Sequence, residues 1–315
     1  MIHKDMNKIE ADIHEAGIFP RRITLELTNH CNLNCTFCPR RLMEKYQGYM
    51  DTGLAKRLID EMATHLPVSL VPFFRGESLL HPDWAEILEH AKTLGVGPVQ
   101  LTSNGMYLDQ KAAQKVLDLE IDFVSFSMDT TDPQLYEKTR RGSSYAKVVN
   151  NIQEFLAMKQ QRRCQLPEVQ VSAVATELHR PGIEAFVKYW RPLVDRVRVY
   201  IEHSSDGWPG SIAEPLPNFV RRLPCWKPFT DMVIYWDGQV SLCNHDWTRN
   251  QEHGIGNVAR QTIATVWGSP TYAGIREAHN CGDVSDLIPC DHCDHWKMFY
   301  LESGYLGEIY ENSVD

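Results

Sequence analysis

The 315-residue sequence lacks the apolar segments that a membrane protein requires. No run of about 18 apolar residues occurs, so a membrane-spanning helix is excluded, and the polar residues 1–17 do not resemble a signal peptide. An excess of positive charge is also absent: the formal net charge is −9, which gives no electrostatic reason to expect nucleic acid or a membrane surface as a partner. We therefore expect a globular, cytoplasmic protein.

Cysteine is too scarce for a disulfide-stapled scaffold, since only nine occur in the whole chain. Nine is an odd number, so the cysteines cannot all pair within one chain. In the reducing cytoplasm, clustered cysteines more often bind metal or take part in chemistry. The positions of these nine residues are therefore the most informative feature of the sequence.

Strand and helix patterns alternate six times between residues 23 and 201, which predicts an α/β fold with a parallel sheet. A complete eight-unit barrel needs about 250 residues, so six units predict an open, partial (β/α)6 barrel. A Gly- and Pro-rich segment follows, and then a hairpin with Asp237-Gly238 as its turn. The predicted domains are a lead-in at 1–20, the barrel at 21–205, a linker at 206–224, a small second domain at 225–300 and a tail at 301–315.

Three cysteines follow the first predicted strand with C-x3-C-x2-C spacing: Cys31, Cys35 and Cys38. Zinc sites usually have four protein ligands and C-x2-C pairs, so a partial zinc site or three plain loop thiols are the weaker alternatives. Three cysteines suit three irons of a four-iron cluster and leave the fourth iron open. Catalytic groups of α/β barrels lie on loops after the strands, as this loop does.

The segment C-N-L-N-C-T-F-C, with Phe37 before its last cysteine, resembles the signature of the radical S-adenosylmethionine (SAM) superfamily. The resemblance implies a partial barrel whose 4Fe-4S cluster binds SAM through the open iron. It further implies reductive cleavage of SAM to a 5′-deoxyadenosyl radical, which abstracts a substrate hydrogen. A reducing partner such as flavodoxin or ferredoxin is implied as well.

Later segments resemble the superfamily's SAM-binding motifs in the expected order. Arg75-Gly76-Glu77 is similar to its Gly-Gly-Glu motif, with Arg75 in place of the first glycine, and Glu77 suits an ammonium group. Singly, such residues are also typical of ordinary turns and strand ends. The resemblance implies that the cofactor contacts come from Phe37, Arg75, Gly76, Glu77, Ser103, Asn104, Ser127, Asp129 and Arg141.

A second group of cysteines, Cys225, Cys243, Cys290 and Cys293, is separated by 17, 46 and 2 residues. Four cysteines can hold a second 4Fe-4S cluster or a zinc ion. The pattern resembles the twitch region, a shortened SPASM extension of radical SAM enzymes, which implies one auxiliary 4Fe-4S cluster. Of the remaining cysteines, Cys164 is interpreted as a spectator.

The spacing is similar to that of radical SAM dehydrogenases acting on 2-deoxy-scyllo-inosamine. This implies oxidation of an alcohol to a ketone on a small hydroxylated substrate, with the auxiliary cluster accepting an electron. An epimerase is the alternative, with Cys281 as hydrogen donor. A peptide-modifying maturase is less favoured because only about 22 residues precede the first strand, and an iron–sulfur or zinc binding module is the non-enzyme alternative. The substrate contacts expected after the sixth strand are Glu202, His203 and Asp206.

Overall fold

Parallel strands with buried apolar residues form the central sheet of the protein. The computed structural model describes residues 17–43, 46–204, 208, 210–212, 216–247, 254–301 and 307–311. The strands within these ranges are β1 Arg22–Leu25, β2 Asn34–Cys35, β3 Ser69–Val71, β4 Gln100–Ser103, β5 Phe123–Ser127, β6 Arg140–Arg141, β7 Glu168–Ala175, β8 Arg196–Ile201, β9 Asp231–Ile234, β10 Val240–Ser241 and β11 Glu308–Glu311.

Six parallel strands lie side by side in the order β1, β3, β4, β5, β7, β8, with a bridge between Leu70 and Val99 joining the β3 and β4 segments. The outer side of β1 is taken by β9, and the outer side of β8 by β11. Because both edges of the six-stranded unit are paired to other strands, the barrel is open. The predicted partial (β/α)6 barrel is confirmed.

Helices follow the strands, as the alternating pattern predicted. Several begin at an aspartate whose carboxylate accepts a hydrogen bond from the first helical turn, as Asp51 does from the backbone N–H of Leu54 and Asp109 from that of Ala112. The helices are α1 Thr52–Ala63, α2 Trp84–Thr93, α3 Gln110–Asp118, α4 Pro133–Thr139, α5 Tyr145–Gln161, α6 Ile183–Trp190, α7 Lys227–Thr230, α8 Ile263–Trp267 and α9 Pro270–Cys281.

The two faces of the sheet differ in polarity. Residues such as Val124 and Phe126 of β5 pack into the main apolar core with helix residues, including Phe155. The alternate residues point to the other face, where the buried Gln170 side chain donates to the Ser125 hydroxyl at 2.8 Å. The barrel interior is therefore polar below the strand ends that carry the predicted site.

The hairpin of β9 and β10 turns at Asp237-Gly238, as predicted, and Gly238 has a φ of 83°. A Cβ at Gly238 would lie 2.8 Å from the backbone nitrogen of Ala259, so only glycine fits this turn. All four residues of β9 are buried, and β9 pairs with β1 in the barrel sheet. The hairpin therefore extends the barrel sheet and is not a separate sheet. No helix in the described part of the chain is long and apolar enough to cross a membrane.

Candidate active site

The C-x3-C-x2-C loop opens onto a cavity of about 200 Å³ at the carboxyl ends of the barrel strands. Burial raises the pKa of Cys35 to about 11 and also raises the pKa values of Cys31 and Cys38, so the free thiols are neutral at pH 7. Iron would supply the charge that stabilises buried thiolates. The cavity wall brings together most of the predicted residues: Cys31, Cys35, Cys38, Arg75, Gly76, Glu77, Ser103, Asn104 and Ser127.

Glu77 is the buried acid of this cavity. Its Oε2 accepts the backbone N–H of Asn104 at 2.8 Å, and its Oε1 accepts the Ser103 hydroxyl at 3.0 Å. Burial raises the pKa of Glu77, while these hydrogen bonds lower it. The bonds also hold the carboxylate in one orientation, so a cationic ligand would meet an acceptor that is already positioned.

Gly76 allows the Glu77 motif to approach the start of the cysteine loop. A Cβ at this position would lie 2.2 Å from the carbonyl oxygen of Thr28 and 2.5 Å from that of His30. The backbone N–H of Glu77 donates to the same His30 carbonyl at 2.8 Å. Any side chain at position 76 would push these two segments apart, and with them the acid and the cysteines.

Asn104 connects the third strand end to the cysteine loop. Its side-chain amide donates to the Asn32 Oδ1 at 2.9 Å, and its own Oδ1 accepts the backbone N–H of Met106. The turn is also held by the Ser103 hydroxyl, which accepts the backbone N–H of Gly105. This segment, predicted to contact the cofactor, is therefore ordered by its own hydrogen bonds and lies beside Cys31.

The arginine at the cavity wall is Arg140 and not the predicted Arg141. The two residues form β6, and because side chains alternate along a strand, Arg140 is buried while Arg141 is exposed. The Arg140 Nε donates to the Asp129 Oδ2 at 2.6 Å. Asp129 does not line the cavity; it lies beneath Arg140 and fixes that guanidinium. Burial lowers the pKa of Arg140, but the charges of Asp129, Cys35 and Tyr136 and the hydrogen bond to Asp129 together more than offset this and raise it.

Arg75, which replaces a glycine of the family motif, is buried between two aromatic rings. Its guanidinium carbon lies 4.5 Å from the Phe74 ring centre and 4.2 Å from the Tyr235 ring centre. It donates to the Tyr235 hydroxyl at 2.8 Å and to the backbone carbonyl of Asp246. Arg75 thereby joins the cavity to the loop that follows Cys243. The lining residues that sequence reasoning missed include Arg40, Thr102, Arg140 and Trp247.

Of the predicted substrate residues, Glu202 lies at a second opening next to the cysteine loop. Glu202 lines a groove of about 380 Å³ together with Phe37, which packs edge-on against His179 at 5.5 Å. Phe37 thus lies in this groove and not in the wall of the cysteine cavity. His203 turns toward the second cysteine group, where its ring packs edge-on against His245 at 5.1 Å. Asp206 lies outside the described residues.

The second cysteine group surrounds an enclosed cavity lined by Cys225, Cys243, Cys290 and Cys293. Burial raises the pKa values of all four thiols, to about 12 in three of them, and the charge of at least one other cysteine of the group raises each pKa further. Within the described residues, no three His, Cys, Asp or Glu side chains are placed to share a single metal ion. A 4Fe-4S cluster distributes its thiolates over separate irons, and four cysteines around one cavity fit that arrangement.

Three histidines, His245, His279 and His295, line the same cavity, and sequence reasoning assigned them no role as a group. Burial lowers the pKa of His279 to about 4 and that of His295 to about 3, and it lowers that of His245 strongly. The three rings are therefore neutral at pH 7. On α9, the buried residues Tyr272, Ile275 and His279 recur at helical spacing. This spacing is the sequence signal that could have identified His279 as a buried residue.

The remaining two cysteines lie away from these cavities. Cys281 ends α9 as an exposed residue, and its thiol donates to the Glu277 Oε1 at 3.1 Å. It is not among the described lining residues of either cysteine cavity. Cys164 lines a surface depression formed by α5 and by residues 192–195 after α6.

Comparison with known protein families assigns the two cysteine regions. The family model described as the radical SAM superfamily matches residues 25–166, and the model described as an iron–sulfur cluster-binding domain, SPASM, matches residues 225–294. Residues 25–166 are therefore a radical SAM domain, and residues 225–294 are a SPASM domain. As a radical SAM protein with a SPASM domain, the chain binds SAM and two 4Fe-4S clusters, and the zinc alternative for the second cysteine group is set aside.

Two of the similar curated proteins carry different names. A probable GTP 3′,8-cyclase of Methanocaldococcus jannaschii is 31% identical over 42% of this chain, but the match spans only 45% of that relative's length. A protein of Pyrococcus furiosus, named as modifying the cofactor of tungsten-containing aldehyde ferredoxin oxidoreductase, is 24% identical over 85% of this chain and 88% of its own.

Solved structures share the fold over most of this radical SAM protein. BtrN, solved with AdoMet and 2-DOIA, has a TM-score of 0.58 and 18% identity, covering 87% of this chain and 93% of its own. SuiB of Streptococcus suis, solved with the precursor peptide SuiA, has a TM-score of 0.68 and 16% identity, covering 97% and 79%. At these identities the likeness establishes the fold alone.

Proposed function

We propose that this radical SAM enzyme dehydrogenates an alcohol of a small hydroxylated molecule, such as a sugar or an aminocyclitol, to a ketone. When bound, SAM and its cluster supply hydrogen abstraction, and the auxiliary cluster supplies an electron acceptor. A flavodoxin or ferredoxin is the proposed reductant. The named activities of the relatives leave the substrate open, so the proposal depends on the two sites of this chain.

The observation that carries the proposal is the enclosed auxiliary cavity. All four of its cysteines face one space, and its described lining is completed by apolar side chains, histidines, Arg222 and Lys227. A cluster held by four cysteines has no open iron for a substrate, so electron transfer is the chemistry left to it. Loss of hydrogen, a proton and an electron from a carbinol gives a ketone, which requires such an acceptor.

The chain's own residues provide matching groups for SAM. The positioned carboxylate of Glu77 suits the methionine ammonium, and the Arg140 guanidinium, which lines the same cavity, suits its carboxylate. Ser127 and the Asn104 turn are the proposed ribose contacts. In this assignment Arg140 takes the role that the sequence gave to Arg141, and Asp129 positions it.

The proposed substrate site lies at the end of β8. Glu202 faces the groove beside Phe37, and a carboxylate there would hold hydroxyl or ammonium groups. His203 is held by the Ser204 hydroxyl at 3.1 Å from its Nδ1. Burial lowers the pKa of His203, so its neutral ring is able to accept the hydroxyl proton. Asp206 remains a proposed contact from the sequence alone.

Anaerobic reconstitution provides the first test. We expect about eight irons per chain, because two four-iron clusters are present, and about four when Cys31, Cys35 and Cys38 are changed to Ala. The same triple variant should lose reductive cleavage of SAM, measured as 5′-deoxyadenosine. A matched control is Cys164→Ala, which should retain both the iron and the cleavage.

The second test identifies the reaction. The enzyme is incubated with a panel of sugar alcohols and aminocyclitols in deuterated water, and the masses of the products are measured by mass spectrometry. Dehydrogenation yields a product lighter by two hydrogens. An isomer carrying solvent deuterium on carbon would instead establish an epimerase, with Cys281 as the first donor to test. Turnover of peptides but of no polyol in the panel would overturn the small-molecule assignment.

A further inference from the structure

Among the residues around the auxiliary cavity, His279 has a tautomer that the hydrogen bonding fixes. The backbone N–H of Cys225 donates to the His279 Nδ1 at 3.4 Å. An imidazole nitrogen that accepts a hydrogen bond carries no proton, so in the neutral ring the proton is on Nε2. His279 Nε2 is therefore a hydrogen-bond donor. Its N–H bond points away from the Cys225 backbone, because Nδ1 is the ring nitrogen that faces Cys225.

This donor is buried and has no partner among the described residues. His279 is 0% exposed, and its Nε2 makes no hydrogen bond with the described residues. An unpartnered buried N–H is destabilising, and native proteins rarely leave one unsatisfied. The residue lines the enclosed cavity formed by the four cysteines. The group that fills this cavity is the available acceptor.

We propose that the His279 Nε2–H donates a hydrogen bond to the auxiliary 4Fe-4S cluster and thereby raises its reduction potential. A reduced cluster carries one more negative charge than the oxidised cluster, so a donor to its sulfurs stabilises the reduced form more. The inference deepens the proposed function and depends on it for its purpose, because a higher potential favours acceptance of the substrate's electron. His279 is a positioning and tuning residue and does not touch the substrate.

Among the three histidines of the cavity, His279 is the one whose donor nitrogen is assigned by a hydrogen bond of the described residues. The Cys225 backbone N–H holds the proton of that ring on Nε2. His245 and His295 also have an unpartnered buried nitrogen, Nδ1 in both, but no hydrogen bond of the described residues assigns their tautomers.

The test measures the auxiliary cluster by itself. In the full-length chain with Cys31, Cys35 and Cys38 changed to Ala, the midpoint potential is determined by an EPR-monitored redox titration. His279→Leu should lower the potential, and a tenfold change in the ratio of oxidised to reduced cluster corresponds to about 59 mV for one electron. His279→Gln keeps an amide donor and should recover part of this shift. His90→Leu is the control, because His90 bonds Asp60 on the surface.

Equal potentials for the parent and His279→Leu, with about four irons retained in both, would overturn the proposal. A second measurement covers the case in which His279→Leu does not hold its iron. In the unmodified enzyme, ENDOR of the reduced auxiliary cluster should detect an exchangeable proton coupling that weakens in His279→Gln, and an unchanged coupling would also overturn it. The iron count and SAM cleavage test the proposed function separately, so either idea can fail alone.

Discussion

The buried ion pair beneath the SAM cavity gives a sharp prediction for Asp129→Asn. Asp129 and Arg140 lie 2.6 Å apart, with side chains 1% and 8% exposed. Asp129 has a φ of 66°, which asparagine also tolerates, so the substitution removes the charge and leaves the backbone unstrained. The Asp129 Oδ1 accepts the backbone N–H of Val174 at 2.9 Å, and an asparagine oxygen can keep this bond.

The expected magnitude follows from burial. At an effective dielectric constant of about 20, two unit charges at 2.6 Å attract by about 6 kcal/mol. Removing one partner of a buried pair typically costs about 3–5 kcal/mol, since the other charge remains buried without compensation. A loss of this size would lower the Tm by about 10 °C. The surface pair of Asp118 and Arg162 has the same 2.6 Å separation but is well exposed. Asp118→Asn should therefore leave the Tm unchanged.

The assay is anaerobic thermal unfolding, monitored by circular dichroism. Arg140→Met and the double variant complete a double-mutant cycle with Asp129→Asn. The double variant should regain much of the stability lost by Asp129→Asn, because no unpaired charge remains. If SAM presents its carboxylate to Arg140, adding SAM should raise the Tm of Asp129→Asn more than that of the parent. A loss below about 1 kcal/mol in Asp129→Asn would refute the reasoning, because only exposed ion pairs are so weak.

Three further outcomes are expected. Gly76→Ala should abolish SAM binding, measured by isothermal titration calorimetry, because the added Cβ would collide with the Thr28 carbonyl. Gly274→Ala is the control, since no described atom lies near the added Cβ there. The free energy of unfolding of the cluster-free chain should fall as the pH rises from about 9 to about 12, because the buried auxiliary thiols ionise in this range only after unfolding. Urea unfolding measures this loss, which should be smaller for the iron-loaded chain. Cys281→Ala should leave iron content and dehydrogenation unchanged, and a loss of turnover alone would favour the epimerase.

The sequence was sufficient to predict the barrel because its signals are local. The alternation of strands and helices predicted between residues 23 and 201 is present in the structure, since apolar periodicity and capping residues act within a few positions of the chain. The cysteine groups were predictable for a similar reason: their spacing is itself the chemical requirement. Both groups surround cavities of the structure.

What the sequence did not predict depends on distant pairing. Arg140 and Arg141 are chemically identical neighbours, and the choice between them is made by the register in which Cys35 pairs with Arg140. The pairing of β9 with β1 joins segments about 200 residues apart, and no local pattern contains it. A lone histidine in a helix is equally uninformative until the fold shows that its second nitrogen has no partner.

Arg75 explains how this chain holds its two cysteine sites in a fixed relation. A glycine there, as in the family motif, would make none of its contacts, whereas the buried guanidinium stacks on Tyr235 and bonds the Asp246 carbonyl three residues after Cys243. Desolvated cation–π contacts contribute about 2 kcal/mol each. Tyr235 follows β9, which pairs with β1 just before the cysteine loop. The SAM motif and the auxiliary loop are therefore joined by a strand pair and by this side chain, so the distance an electron would travel between the sites is set by the barrel itself.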